Sequence, residues 1–423
     1  DTKIAINYNT DLKSPLSEHW WLKNLKIDKK NIVFYFSEFG KVSIDDNLAN
    51  TIEKFGYSYL IIDNRLNKTS KVPTEKLDLN TGKLIETINN LIKIYSFKRK
   101  YKFFKFQIFL WLKITFKVYL YEQFLKKNNI KIVADYSEAN IDIVGIAAKV
   151  CNSKKIYYQR TELHFPLHFY QPIHDIYFTW GELSRTVLEK YHNNKITKFV
   201  NVGNIFYSYP EIDDLKMNAL RKINQKLILD GRFNLAVFDR SASQKSFVPP
   251  KYHAYFFDKL FKFAEENKKI NLLIKPKDDL KNEVLDCYDI LNRKEKLIKE
   301  KKLFIFNSKD SFYEAAALSD ASLSIGINTA GVISSMYGVR PFFWDILNIA
   351  KSDYYEITEY AGYNDSFFTS KHLETLICNI IEYCTNKDEN KKIDQRFIDL
   401  RNHFNDKFAL KRISDEINQI ILK

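Results

Sequence analysis

The chain alternates short apolar runs with longer stretches in which apolar residues recur at helical spacing. In the first half, Ile4–Tyr8, Asn31–Phe36, Tyr59–Asp63, Ile132–Asp135, Lys155–Gln159, Ile176–Thr179 and Phe199–Val202 read as strands with helix-like stretches between most of them. This βαβ rhythm predicts a parallel sheet covered by helices on both faces. From Glu211 to Gly231 the chain is polar and helical and carries no strand signal. A second series then runs through Asn234–Phe238, Asn271–Ile274, Leu303–Phe306, Ala321–Ile325 and Phe342–Phe343, so the second half reads as another doubly wound domain. The last stretch, Ser370–Lys423, is helical by period and is expected to return in part to the first domain. The expected organisation is a first domain over 1–210, a linker over 211–231 and a second domain over 232–423.

Length agrees with that division, because 423 residues exceed one typical core and suit two domains of roughly 200 residues. Apolar residues make up 45% and aromatics 15%, which favours a globular fold over disorder. The net charge of +14 keeps nucleic acid, an anionic membrane face and anionic small substrates open as partners. Cys151, Cys287, Cys378 and Cys384 form no CxxC pair and no Cys/His cluster with zinc spacing, so reduced thiols in a cytosolic protein are the simplest account. The sequence begins at Asp1 without a Met, which leaves a trimmed N-terminus and a lost targeting segment open. The most apolar run, Phe106–Tyr121, is interrupted by Lys113 and Lys117 and is too short to span a bilayer.

The longest helical region lies between Thr81 and Asn129. Its middle interleaves aromatic residues with Lys98, Arg99, Lys100, Lys102, Lys105, Lys113 and Lys117. Two readings stand. One is an amphipathic surface for anionic lipid headgroups or a lipid-linked acceptor, giving peripheral contact with the inner membrane. The other, which is favoured, is a helix that packs its aromatic face on the sheet while its lysines snorkel to water.

Several site types are excluded by pattern. No two glycines are spaced i, i+2, so a dinucleotide fingerprint is absent. Gly326 and Gly331 match the glycine spacing of a P-loop, but Val332 and Ile333 stand where Lys and Ser/Thr are needed. No Asp-x-Asp, HExxH or GxSxG occurs, and no metal site is expected.

What remains is polar residues after predicted strands, where open α/β sheets place their ligands. In the second half these are Asp239-Arg240-Ser241-Ala242-Ser243, Lys275-Pro276-Lys277 and Gly326-Ile327-Asn328-Thr329. The last group sits where a strand turns into a helix, which offers unpaired N–H groups and a positive dipole end to an anion. A bland alternative has Thr329 only capping that helix. Arg240, Ser241, Ser243, Lys275, Lys277, Asn328 and Thr329 are therefore the expected nucleotide-phosphate residues, with Glu314 a partner for ribose hydroxyls or else an exposed helical residue.

On the first-half rim stand Asp135-Tyr136-Ser137-Glu138 and Gln159-Arg160-Thr161-Glu162-Leu163-His164, followed by His168 and His174. Carboxylates and imidazoles can remove a proton from a hydroxyl or attack an anomeric carbon. Glu162 and Asp135 lead the catalytic candidates, with Glu138 and His164 beside them, and Ser17-Glu18-His19 could reach the same cleft.

From about Ile132 onward, the order of motifs resembles bacterial GT-B glycosyltransferases of capsule and lipopolysaccharide synthesis. The resemblance rests on Asp135-Tyr136, Tyr157-Tyr158-Gln159, Phe178-Thr179-Trp180-Gly181-Glu182 and Val202-Gly203-Asn204. In the second half it rests on Leu273-Ile274-Lys275-Pro276-Lys277, Ser319-Asp320-Ala321, Asn328-Thr329-Ala330 and Gly338-Val339-Arg340-Pro341. It departs from the family where Lys275-Pro276-Lys277 replaces His-Pro and where Gln159-Arg160-Thr161 replaces Gln-His-Gly.

The resemblance implies GT-B architecture, with two Rossmann-like domains facing across a cleft. It also implies a nucleotide-sugar donor held by the second domain, and a glycan or lipid-linked glycan acceptor met by the first. No cofactor, metal or nucleic acid is expected, and the location is cytoplasmic. CMP-activated acidic sugars such as Kdo or sialic acid suit a basic cleft. A sugar-nucleotide epimerase of the same fold, and a non-catalytic basic protein that binds membrane or nucleic acid, stay open as alternatives.

Overall fold

In the computed structural model the described residues are 2–8, 12, 18–36, 46–61, 82, 85, 105–135, 142–162, 173–191, 196–208, 211–240, 248–278, 288–352, 355–363, 365, 368–385 and 395–422. They build two sheets. The first contains β1 (Lys3–Asn7), β2 (Ile32–Phe36), β3 (Ser58–Ile61), β4 (Ile130–Asp135), β5 (Lys154–Tyr158), β6 (His174–Thr179) and β7 (Ile196–Asn201). The second contains β8 (Phe233–Phe238), β9 (Ile270–Lys275), β10 (Leu303–Ile305), β11 (Ala321–Ile325), β12 (Arg340–Trp344) and β13 (Thr369–Ser370). The expected strands are present with ends displaced by a few residues. The two-residue edge strand β13 was not expected, because it is too short to leave an apolar run.

Neighbouring strands pair in parallel, in the spatial orders β3-β2-β1-β4-β5-β6-β7 and β10-β9-β8-β11-β12-β13. Each order reverses at its first strand. The crevices outside the carboxyl ends of β1/β4 and β8/β11 are thus the switch points at which such sheets bind ligands.

Period-two alternation divides each strand between two cores. Ile4 and Ile6 face one side with Ile156 and Phe178, whereas Ala5 faces the other with Tyr35 and Val133. On that second side, the helix Lys105–Lys127 buries Tyr121, Phe124 and Leu125 against the sheet. This part of the basic-aromatic stretch therefore uses its aromatic face for packing. Residues 98–104 lie outside the described residues. Among the described residues no helix is long and apolar enough to cross a membrane.

The final helix, Ala409–Ile421, packs on the first sheet and not the second. Its Ala409, Ile413 and Ile417 join the core that contains Ile4 and Phe34. Polar contacts fix its register: Ser414 Oγ donates to Trp21 O at 2.6 Å, and Asn418 Nδ2 donates to Asn24 O at 3.0 Å.

The seam between the sheets is apolar. Trp180 packs with Tyr313, Ala317 and Ile333, and Leu183 and Val187 pack with Val332, Met336 and Tyr363. The helix Thr329–Met336 is therefore buried between the two halves, and its N-terminus is held at the cleft by packing on both sides.

Candidate functional site

Chain segments that leave five strand ends, that after β10 with Lys309 and Asp310 among them, converge on one cavity of about 620 Å³. From the second sheet come Asp239 after β8, Lys275, Pro276 and Lys277 at the end of β9, and Thr329 and Ala330 after β11. Arg160 and Thr161, after β5, close it from the first domain. A smaller cavity of about 300 Å³ between Arg340, Tyr360, Phe368 and Arg396 contains none of the expected site residues.

The helix start forms one part of this wall. Asn328 is the N-cap: its Oδ1 accepts from Gly331 N–H at 2.9 Å, and its carbonyl accepts from Val332 N–H at 3.2 Å. Of the four N–H groups that an α-helix leaves without intrahelical partners, the Asn328 side chain satisfies one, that of Gly331, whereas Val332 N–H makes the first regular helical bond. Those of Thr329 and Ala330 have no acceptor among the described residues, and both residues line the cavity. Thr329 is thus the first helical residue and not the cap. Its Oγ1 accepts from Glu162 N–H at 3.2 Å, which leaves the hydroxyl proton as a further donor. Gly331 permits this geometry, because a Cβ there would stand 2.7 Å from Ser324 Oγ and 2.9 Å from the Phe343 ring.

The two lysines are held differently. Lys275 Nζ donates to Pro276 O at 2.6 Å and Ser308 O at 3.0 Å, and burial lowers its ammonium from the ordinary range while Asp239 opposes that shift. Lys277 donates its backbone N–H to Asp239 Oδ1. Burial pushes the Asp239 carboxyl up to about 7, against the pull of that N–H and of Lys275. Opposite them, Lys222 bridges Asp310 and Glu314 at 2.6 Å each. Glu314 is a buried wall residue at 7% exposure, not the exposed helical residue expected, and its carboxylate is already ion-paired.

Arg240 turns away from the cavity. Its Nε donates to Ile325 O at 3.1 Å and its Nη2 to Ile327 O at 2.5 Å, bracketing the turn at Gly326, whose φ is +65°. The expected phosphate contact of Arg240 is thereby redirected to backbone carbonyls. Asn328 is likewise committed to capping.

The leading catalytic candidate, Glu162, is part of a buried link between the halves. Its Oε1 accepts from Arg401 Nε at 2.8 Å and from the Tyr363 hydroxyl at 2.7 Å. Arg401 also donates to Phe397 O and Ala361 O, and its guanidinium stacks 3.6 Å from the Phe397 ring centroid. Burial pushes the Tyr363 hydroxyl well above the usual phenol range, so it stays a donor. Glu162 lines neither cavity. It reaches the larger one through its backbone N–H, by fixing the Thr329 hydroxyl.

Asp135 also sits in an internal network. Asn7 Nδ2 donates to its Oδ1 at 3.1 Å, and Lys155 Nζ lies 3.5 Å from its Oδ2. Lys155 also pairs with Asp142, and His174 Nδ1 lies 3.7 Å from Asp142 Oδ2. Burial, then Lys155, holds the His174 ring well below its ordinary pKa, hence neutral. His19 is buried against Tyr8 and Phe34 and is not in the cavity wall. Glu138, His164, His168, Ser241 and Ser243 lie outside the described residues.

Sequence reasoning passed over Asp239, Lys222, Tyr363 and Arg401. Asp239 was visible as the first residue of a rim segment. The other three carry no local signal, because their roles come from distant partners.

No protein-family model and no curated protein sequence matches the chain. Solved structures do. A putative UDP-N-acetylglucosamine 2-epimerase from Listeria monocytogenes matches with a TM-score of 0.55 at 12% identity, over 100% of this chain and 97% of that one. A glycosyltransferase from Rickettsia africae ESF-5 matches at 0.53 and 16%, over 100% and 99%. UDP-GlcNAc 2-epimerase from Neisseria meningitidis bound to UDP-GlcNAc matches at 0.53 and 13%, over 99% and 100%. At these identities the likeness establishes the fold: GT-B, two Rossmann-like α/β domains facing across a cleft.

Proposed function

We propose that the cavity between the domains holds the phosphates of a nucleotide-activated sugar, and that the protein is a glycosyltransferase. The observation that carries this reading is the helix start: Thr329 and Ala330, whose N–H groups have no acceptor among the described residues, line one volume together with Lys275 and Lys277. Backbone donors, a helix dipole and two ammonium groups suit a diphosphate, and they stabilise a departing nucleotide by charge and hydrogen bonding. In this scheme no metal is needed for the leaving group. A nucleotide-sugar ligand is also what the Neisseria meningitidis structure contains by its name.

The sugar then lies toward Arg160 and Thr161, and the acceptor, a bacterial surface glycan, enters from the first domain. Arg160 would also suit an acidic sugar such as Kdo or sialic acid on a CMP carrier. Glu162 acts in this scheme as a positioning residue for Thr329.

The second reading is a sugar-nucleotide epimerase, supported by the names of the Listeria monocytogenes and Neisseria meningitidis structures. One experiment separates the two. Purified protein is incubated with UDP-, CMP- and GDP-sugars, with and without oligosaccharide acceptors, and the products are resolved by NMR. Transfer only with acceptor supports the glycosyltransferase, and isomerised sugar without acceptor supports the epimerase. Absence of binding by every nucleotide sugar contradicts both.

A further inference from the structure

Among the cavity groups Asp239 is out of place, because a carboxylate beside a phosphate repels it. Its geometry resolves the conflict. Oδ1 is committed to Lys277 N–H, whereas Oδ2 has no partner among the described residues, and Asp239 lines the same cavity as Thr329. A proton on Oδ2 would convert this side chain from a repelling charge into a hydrogen-bond donor in the wall of the cavity.

We infer that Asp239 is a proton-linked phosphate contact, binding a phosphoryl oxygen as the neutral carboxylic acid, so that entry of a nucleotide diphosphate into the cleft is coupled to net proton uptake. The inference rests on the nucleotide-sugar reading of the cleft and deepens it. The balance is simple: buffer supplies the proton, Oδ2 takes it up, and the protonated carboxyl donates to a phosphate oxygen without any covalent change.

The groups around Asp239 set the conditions for this uptake. From the end of β9 and the segment after it, Lys275 and Lys277 favour the carboxylate and Asp278 opposes it. Across the cavity, Lys309 and Asp310 come from the loop after β10, and Glu314 from the helix Phe312–Ala317. Lys222 comes from the helix Ile212–Ile223 and offsets one of the two negative charges of Asp310 and Glu314, while Arg160 lines the cavity from the first domain. With burial added, the Asp239 carboxyl is already poised at about 7 before any ligand arrives. An anion bound alongside raises it further.

The test is calorimetric titration of UDP-N-acetylglucosamine, whose diester phosphates do not titrate near neutrality. It is run slightly above about pH 7 in two buffers of different ionisation enthalpy. The wild type is expected to show a buffer-dependent enthalpy that reports net proton uptake, and an affinity that falls by up to about tenfold per pH unit on the alkaline side. Asp239→Asn, which keeps the shape and a donor, is expected to bind with a buffer-independent enthalpy and a flat pH profile. Asp239→Ser serves the same comparison if the Asn variant folds poorly. Binding by the wild type without proton uptake, or uptake retained in both variants, overturns the inference while leaving the cleft reading intact. No binding by the wild type to this or any other nucleotide sugar overturns both.

Discussion

Arg401 Nε donates to Glu162 Oε1 over 2.8 Å, with both side chains 1% exposed, and this pair ties the end of the chain to the loop that orients Thr329. A buried charge whose partner is removed stays buried, so breaking such a pair costs more than the pair contributes net. Arg401→Met and Glu162→Gln are each expected to lower stability by about 3–5 kcal/mol, and the double variant by less than their sum. Urea unfolding of the four proteins checks this. Additive losses would mean that the two side chains do not act as a pair.

Gly331 marks the closest packing of the helix at the cleft. In an exposed helix Gly→Ala would stabilise by up to about 1 kcal/mol. Here the new Cβ meets Ser324 Oγ and Phe343 at contact distances that real side chains avoid. Gly331→Ala is therefore expected to destabilise by about 1–3 kcal/mol, and Gly331→Val by more. Thermal unfolding midpoints are the measurement, and an unchanged or raised midpoint for Gly331→Ala would contradict the packing.

Stability should depend on pH through two groups of opposite sign. Burial raises Asp239 from 3.8 to about 7, so between these values the native state holds a proton that the unfolded chain has released. Its contribution is present below pH about 4 and is lost as pH rises through about 7. Burial, then Arg160, lowers His19 from 6.5 to about 3, so its contribution is present above 6.5 and is lost as pH falls toward 3. Because the two oppose each other, the informative quantity is the difference between wild type and Asp239→Asn. The variant is expected to gain relative stability as pH rises from about 4 to about 7. A constant difference across that window would show that the Asp239 carboxyl is not raised in the folded protein.

Much of this architecture is legible in the chain. Strands such as Leu272–Ile274 and Leu323–Ile325 stand out because central strands bury both faces. The carboxyl-end rule then selects Lys275, Lys277 and Thr329 without any contact being known. Arg240 and Glu162 also follow strand ends but do not line the cavity, for one reason. A rim position says where a side chain starts, not where it points. Arg240 turns back onto the carbonyls of Ile325 and Ile327, and Glu162 is captured by Arg401 across a sequence separation of 239. Asp239 heads a rim segment, but the surroundings that raise its carboxyl include Asp278 on the segment after another strand and leave no local signal.

The central claim is that the helix start at Thr329 binds a nucleotide phosphate. Thr329→Val removes the hydroxyl at nearly constant shape, and the two backbone N–H groups stay. Titration of wild type and Thr329→Val with UDP, CMP, GDP and ADP by calorimetry is the most direct measurement. The expected result is saturable binding of at least one nucleotide by the wild type, weakened at least about tenfold in the variant, the effect of one hydrogen bond to a charged group. Binding of equal strength by both proteins, or by neither, would contradict the account.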